Sequence, residues 1–175
     1  MRRKSPPKTG LFSDDWKGLP TTARVVEGGL SYAVLSPADP VLQRLEQITD
    51  HRDQVVGAHL ALRDDPGCIA AHLFLGQSAV DAQVGHDHLA RAVETGKALW
   101  EPVAAAEEDF CWWGYPATRP YMKAIAALGA WHAEFGKPED ARELYQSLLT
   151  MNPYDNQGIR HRMAELEPEV AGMGM

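Results

Sequence analysis

The sequence predicts an all-α protein: a stack of short antiparallel helical hairpins. Three observations predict it. Apolar residues recur at helical spacing from residue 39 onward. The helical stretches are about 10–15 residues long and are separated by breaks of about 2–6 residues, the arrangement of antiparallel neighbours. The pair Leu-Gly also occurs twice, at Leu75-Gly76 and Leu128-Gly129, each time inside an apolar helical stretch.

Residues 1–36 stand apart from this pattern. The first twenty carry Arg2, Arg3, Lys4, Lys8 and Lys17 against Asp14 and Asp15, a local charge of +3 in a chain whose formal net charge is −7. Pro6, Pro7, Gly10, Gly18 and Pro20 interrupt regular structure. No apolar run follows the basic start, so an export signal is not expected. The segment reads as a basic, largely disordered tail. A sharper reading makes it an arm that docks on an acidic surface through Phe12 and Trp16. Val25-Val26 and residues 30–35 flank Gly28-Gly29, which suggests a strap or a small β-hairpin.

The helical domain spans 37–168, with 169–175 as a disordered C-terminus. Asp39-Pro40 reads as an N-cap followed by proline in the first turn, opening a helix over 39–48 with Val41, Leu42, Leu45 and Ile48 on one face. A second helix is expected over 52–63, its face holding Val55, Val56, His59, Leu60 and Leu62, and ended by Asp64-Asp65-Pro66-Gly67. A third should start near Cys68 and continue to Val80. A fourth should run over 87–100, with Pro102 just beyond it. A fifth begins at Arg119-Pro120 and ends at Phe135, before Gly136-Lys137-Pro138. A sixth covers 139–151, stopped by Asn152-Pro153. The last covers 156–166, with Asn156 as its cap.

The hairpins carry a repeat. Ile125-x2-Leu128-Gly129-x2-His132, then Ala141-x3-Tyr145, then Pro153 follow the tetratricopeptide spacing. Gly129 permits close helix approach, Ala141 is small at a crossing, and Tyr145 fills the space between hairpins. His72-x2-Leu75-Gly76-x2-Ala79 reproduces the first half. The two Leu-Gly pairs lie 53 residues apart, whereas a plain array gives about 34, so residues 101–119 form an insertion. The count is about two and a half repeats.

The run WGYPATRPYM at 113–122 resembles the WG-x2-ETRPYM segment of the suppressor-of-tumorigenicity-seven-like tetratricopeptide proteins. The run NPYDNQGIR at 152–160 is similar to their NPNDNQGIR segment. Ala117 stands where that family has Glu, and Tyr154 where it has Asn. The resemblance covers roughly residues 61–165. It implies an all-helical repeat fold and no catalytic activity.

Composition excludes several classes. The acidic balance, 17 Lys and Arg against 24 Asp and Glu, disfavours a general nucleic-acid binder. The apolar runs fall far short of the ~20 residues a membrane span needs. Cys68 and Cys111 have no metal or redox spacing. What remains is a cytoplasmic, non-enzymatic protein–protein interaction module or scaffold without a cofactor. It would bind a peptide or protein partner, or form a homo-oligomer. The partner face should comprise Leu73, Gln77, Lys123, Glu134, Gln157 and Arg160, along with Ala70, Val80, Ala126 and Ala130. Trp112 and Arg119 join the partner-binding set. Trp112, Trp113 and Tyr115 form an aromatic knot that either plugs the core or serves as a hot spot. Arg119 either holds a loop carbonyl or carboxylate or contacts an anion or a partner, while Thr118 caps the helix that follows. The alternative is a small metal-binding protein or enzyme built on His86, His88 and the acids Glu107, Glu108 and Asp109.

Overall fold

A computed structural model describes residues 48–166. The basic tail, the strap or hairpin, nearly all of the 39–48 helix and the C-terminus lie outside the described residues. Within them the fold is helical: α1 His51–Asp64, α2 Ile69–Ser78, α3 Ala82–Ala105, α4 Arg119–Glu134, α5 Pro138–Met151 and α6 Ile159–Glu165, with short 3-10 turns at Trp112–Gly114 and Pro116–Thr118. No strand is found among the described residues, and no helix there is long and apolar enough to cross a membrane.

α1 opens on Asp50, whose carboxylate accepts from the Arg52 and Asp53 amides (2.8 and 3.2 Å). Its buried stripe is Gly57, Ala58 and Ala61, packed with Cys68, Ala71 and Leu75 of the α2 side. The larger face expected from the pattern is displaced. Val55 and Leu62 only flank this cluster, while Val56, His59 and Leu60 are exposed. Small residues win the interface because they let the helix axes approach closely. α2 ends at Ser78, two residues short of the expected end, and is apolar nearly all round. It packs against α1, α3 and α4 together, which leaves Gln77 as its one exposed residue.

α3 departs most from expectation. It starts at Ala82, capped by Asp81, whose carboxylate accepts from the Val84 amide (2.9 Å), and it continues through Pro102 to Ala105. Gly85, outside the expected 87–100 helix, is the point where α3 touches α2. A Cβ there would lie 3.1 Å from the Gly76 carbonyl oxygen. Pro102 cannot give the backbone bond to the Ala98 carbonyl, and the helix continues past it for three residues with Trp100 and Val103 buried on either side.

The contacts Gly76 with Gly85, His72 with His88 and Gly67 with Thr95 run in opposite directions along the two segments, so α2 and α3 are antiparallel. Gly129 with Tyr145 and His132 near Asp140 establish the same for α4 and α5. Tyr145 also closes the main core, formed by Trp100, Val103, Tyr121, Met122, Ile125, Ala126, Ala141, Leu148 and Ile159. A second cluster joins the two hairpins: Leu73 of α2, Leu89 and Ala92 of α3, and Ala124 and Leu128 of α4.

Two expected caps are corrected. Thr118 makes no capping bond to α4. It is buried, and its hydroxyl has one proton to share between the carbonyl oxygens of Tyr115 and Trp112, both within hydrogen-bonding reach. Asn156 does not cap the last helix. Asp155 does, its carboxylate accepting from the Ile159 amide (2.6 Å) and the Arg160 amide (3.0 Å). Gly158, at φ +69°, turns the chain between that cap and the helix, which delays the start of α6 to Ile159.

Candidate functional site

The residues expected on a partner face separate into three groups. Gln77, Lys123 and Glu134 are exposed on α2 and α4. Leu73 is a core residue instead, held in the cluster that joins the hairpins, and it has little surface to offer. Ala126 is buried likewise, whereas Val80 is fully exposed. Gln157 and Arg160 fold toward the protein. Gln157 Nε2 donates to the Met122 carbonyl (3.3 Å), which places its side chain beside Lys123, and its Oε1 is buried without a hydrogen bond. Arg160 donates to the Pro153 carbonyl (2.9 Å) and lies 3.7 Å from Asp155.

The aromatic knot forms between α3 and α4. Phe110 meets Trp112 edge-on at 4.9 Å and tilts against Tyr115 at 5.1 Å, and Trp112 reaches Tyr121 at 6.0 Å. Burial pushes the Tyr121 hydroxyl up to about 12. Arg119 donates from Nε to the Trp113 carbonyl (3.1 Å) and holds its guanidinium 5.2 Å from the Trp113 ring centroid. Phe110, Trp112, Trp113 and Ala117 all pack partly buried against the main core. The insertion is thus tied down by its aromatics, by Arg119 and by the Thr118 hydroxyl.

The histidines regroup. His88 pairs with His72, Nδ1 to Nδ1 at 2.9 Å, and its ring lies 6.5 Å from that of His59. The Pro66 carbonyl oxygen, 3.0 Å from His72 Nε2, can only accept. His72 therefore carries its proton on Nε2, and His88 donates from Nδ1. Burial holds the pKa of both rings below the ordinary histidine value, and for His88 the neighbouring His72 and His59 add to the effect. His86 turns elsewhere, toward Trp131 (4.5 Å) and His132 (5.6 Å) of α4. His86 and His88 are thus divided between two neighbourhoods. Among the described residues no group of three or more His, Cys, Asp or Glu, including Glu107, Glu108 and Asp109, is placed to hold a metal ion.

One surface sets Val80 near three residues that the sequence pattern did not mark, Val84, Trp131 and Phe135. Trp131 and Phe135 stack at 4.5 Å near the end of α4, and the Trp131 indole donates to the Ala82 carbonyl (3.0 Å), which joins them to the exposed Val80 and Val84. The spacing of Trp131 and Phe135, one helical turn apart, carries the signal, but that spacing reads equally as a core stripe. No family model, curated protein or solved structure matches the chain.

Proposed function

We propose that the chain is a non-enzymatic interaction module: a short stack of tetratricopeptide-like hairpins, α2–α3 and α4–α5, followed by α6. A peptide or protein partner would lie along the face that α2, α4 and α6 share. One observation carries the reading. Each hairpin sets a glycine of its first helix against a large side chain of its second, Gly76 against Leu89 and Gly129 against Tyr145. A Cβ at either glycine would come within 2.7 and 2.5 Å of that side chain. The residues four positions before the large side chain are small in both cases, Gly85 and Ala141, and both are buried. The second half of the earlier repeat is then Gly85-x3-Leu89, with the aromatic replaced by leucine. Its spacing is three residues shorter because α2 ends two residues after Gly76, whereas α4 continues five residues past Gly129.

Gln77, Lys123 and Glu134 supply the polar exposed part of the face, and Gln157 and Arg160 border it. Immobilised chain tests the reading. The parent should retain one defined protein from the native extract, which then binds with a measurable Kd in calorimetry. The variant Gln77→Arg/Lys123→Glu should lose it, and the α3 control Lys97→Glu should keep it. Equal retention by all three would remove the face from consideration.

A further inference from the structure

We infer that the chain's own basic N-terminal arm, residues 2–17, docks on the aromatic surface formed by Val80, Val84, Trp131 and Phe135. The surface shares Glu134 with the partner face proposed above, and the test below reads the position of the arm rather than the capture of a partner. The surface is apolar where exposed residues are usually polar. Val80 is fully exposed, and Val84 and Phe135 are about half exposed (49% and 45%). Exposed apolar side chains brought to one end of two helices mark an interaction site, and a tryptophan among them is a frequent anchor.

Its rim selects a basic occupant. Asp81 and Glu134, the chain neighbours of Val80 and Phe135, are exposed, as are Asp87 and Asp140, which pair with His86 and His132 against the Trp131 ring. The cation on the patch, Lys137, has its ammonium 5.7 Å from the Trp131 ring centroid, so that ring face receives a positive charge. Residues 48–166 as a whole hold ten Lys or Arg against seventeen Asp or Glu. The arm offers the complement: Arg2, Arg3, Lys4, Lys8 and Lys17 against Asp14 and Asp15, a net +3, with Phe12 and Trp16 as apolar anchors.

Connectivity brings the arm to this end of the molecule. α1 is joined at its C-terminus to the start of α2, where the Cys68 amide donates to the Asp65 carbonyl (3.0 Å), while the His51 ring at its start lies 5.9 Å from Phe74, further along α2. The chain therefore enters α1 at Ile48 on the side of the α2–α3 turn, where Val80 stands. Trp16 is 32 residues before Ile48. Such a length spans on the order of 100 Å when extended, so reach does not limit the contact.

Photo-cross-linking of the full chain tests this. With p-benzoylphenylalanine in place of Phe12, irradiation at low salt should give cross-links within the monomer band, at residues 80–84 or 131–137. Their yield should fall several-fold at high salt, where surface charges are screened. It should fall several-fold also in Asp87→Lys/Glu134→Lys and in Phe135→Ser, with the helical circular dichroism unchanged. Cross-links confined to a dimer band would mean that a second copy occupies the patch, and would overturn the assignment. So would cross-links scattered over the body, or a yield indifferent to all the variants.

Discussion

Replacing Gly129 by alanine tests the hairpin contact on which the repeat reading rests. The added Cβ would lie 2.5 Å from Cε1 of Tyr145, 3.0 Å from Cδ1 and 3.1 Å from Cζ. Tyr145 is only 2% exposed and is enclosed by the main core, with the Arg162 guanidinium beside its hydroxyl, so the ring has no free direction to move. Two effects oppose each other. Alanine in a helix interior favours folding by about 1 kcal/mol over glycine. Overpacking a dense core costs about 1–3 kcal/mol, and contact with a confined ring belongs at the upper end. The net expectation is a loss of about 1–2 kcal/mol, read as a lower urea midpoint at unchanged m-value by circular dichroism. Tyr145→Leu should lose stability alone, yet in its presence Gly129→Ala should become nearly neutral, a coupling of at least about 1 kcal/mol. If Gly129→Ala raised the midpoint, helix propensity would have gone unopposed and the contact would not exist.

The His72–His88 pair gives a pH dependence. Both rings have depressed pKa values in the folded protein, so the unfolded chain binds more protons as pH falls through about 6.5. Thermal stability should therefore be level above neutrality and decline on acidification below it. His72→Gln, which keeps one donor and one acceptor, should flatten part of that decline, and a slope identical to the parent would refute the assignment. Part should remain, because burial also depresses His132, against the opposing pull of Asp140. Thr118→Val keeps the shape of the side chain but leaves the Tyr115 and Trp112 carbonyls without the hydroxyl. The expected cost is about 1–3 kcal/mol in urea unfolding, with red-shifted tryptophan emission; a neutral variant would mean that water replaces the hydroxyl freely. Asp155→Ala removes both capping bonds of α6 and should cost about 1–2 kcal/mol, with faster amide exchange at Ile159 and Arg160. Unchanged exchange at those two amides would count against the cap.

Local chemistry carried much of the fold. Pro120 marks a helix start, Gly136 marks a turn at φ +74°, and Arg119 holds a loop carbonyl, one of the roles its position beside a helix start allows; Pro138, read as part of the break, is the first residue of α5. The misreadings arose where tertiary contact overrides local preference. The expected 87–100 helix leaves out Gly85, which is helical because Gly76 lies opposite it, and Pro102 resembles a stop until the burial of Trp100 and Val103 is seen. Val56 and Leu60 follow an apolar spacing that the interface of α1 ignores in favour of Ala58 and Ala61. At the site, periodicity cannot tell which apolar residues face water. Leu73 and Val80 are equivalent in the pattern, yet one is enclosed and the other bare. The pairing of His88 with His72 rather than with His86 depends on which helix each faces, and sequence spacing does not contain that.

α3 belongs to two interiors at once. Leu89 and Ala92 in its first half pack between the hairpins, and Trp100 and Val103 in its second half pack with α4, α5 and α6. A stack of separate hairpins can fray one unit at a time, since each touches only its neighbours. A shared beam of 24 residues removes that freedom. Melting either half of it exposes the partner surfaces of the other, so the amides of α2 and α5, distant along the chain, should open together rather than in sequence.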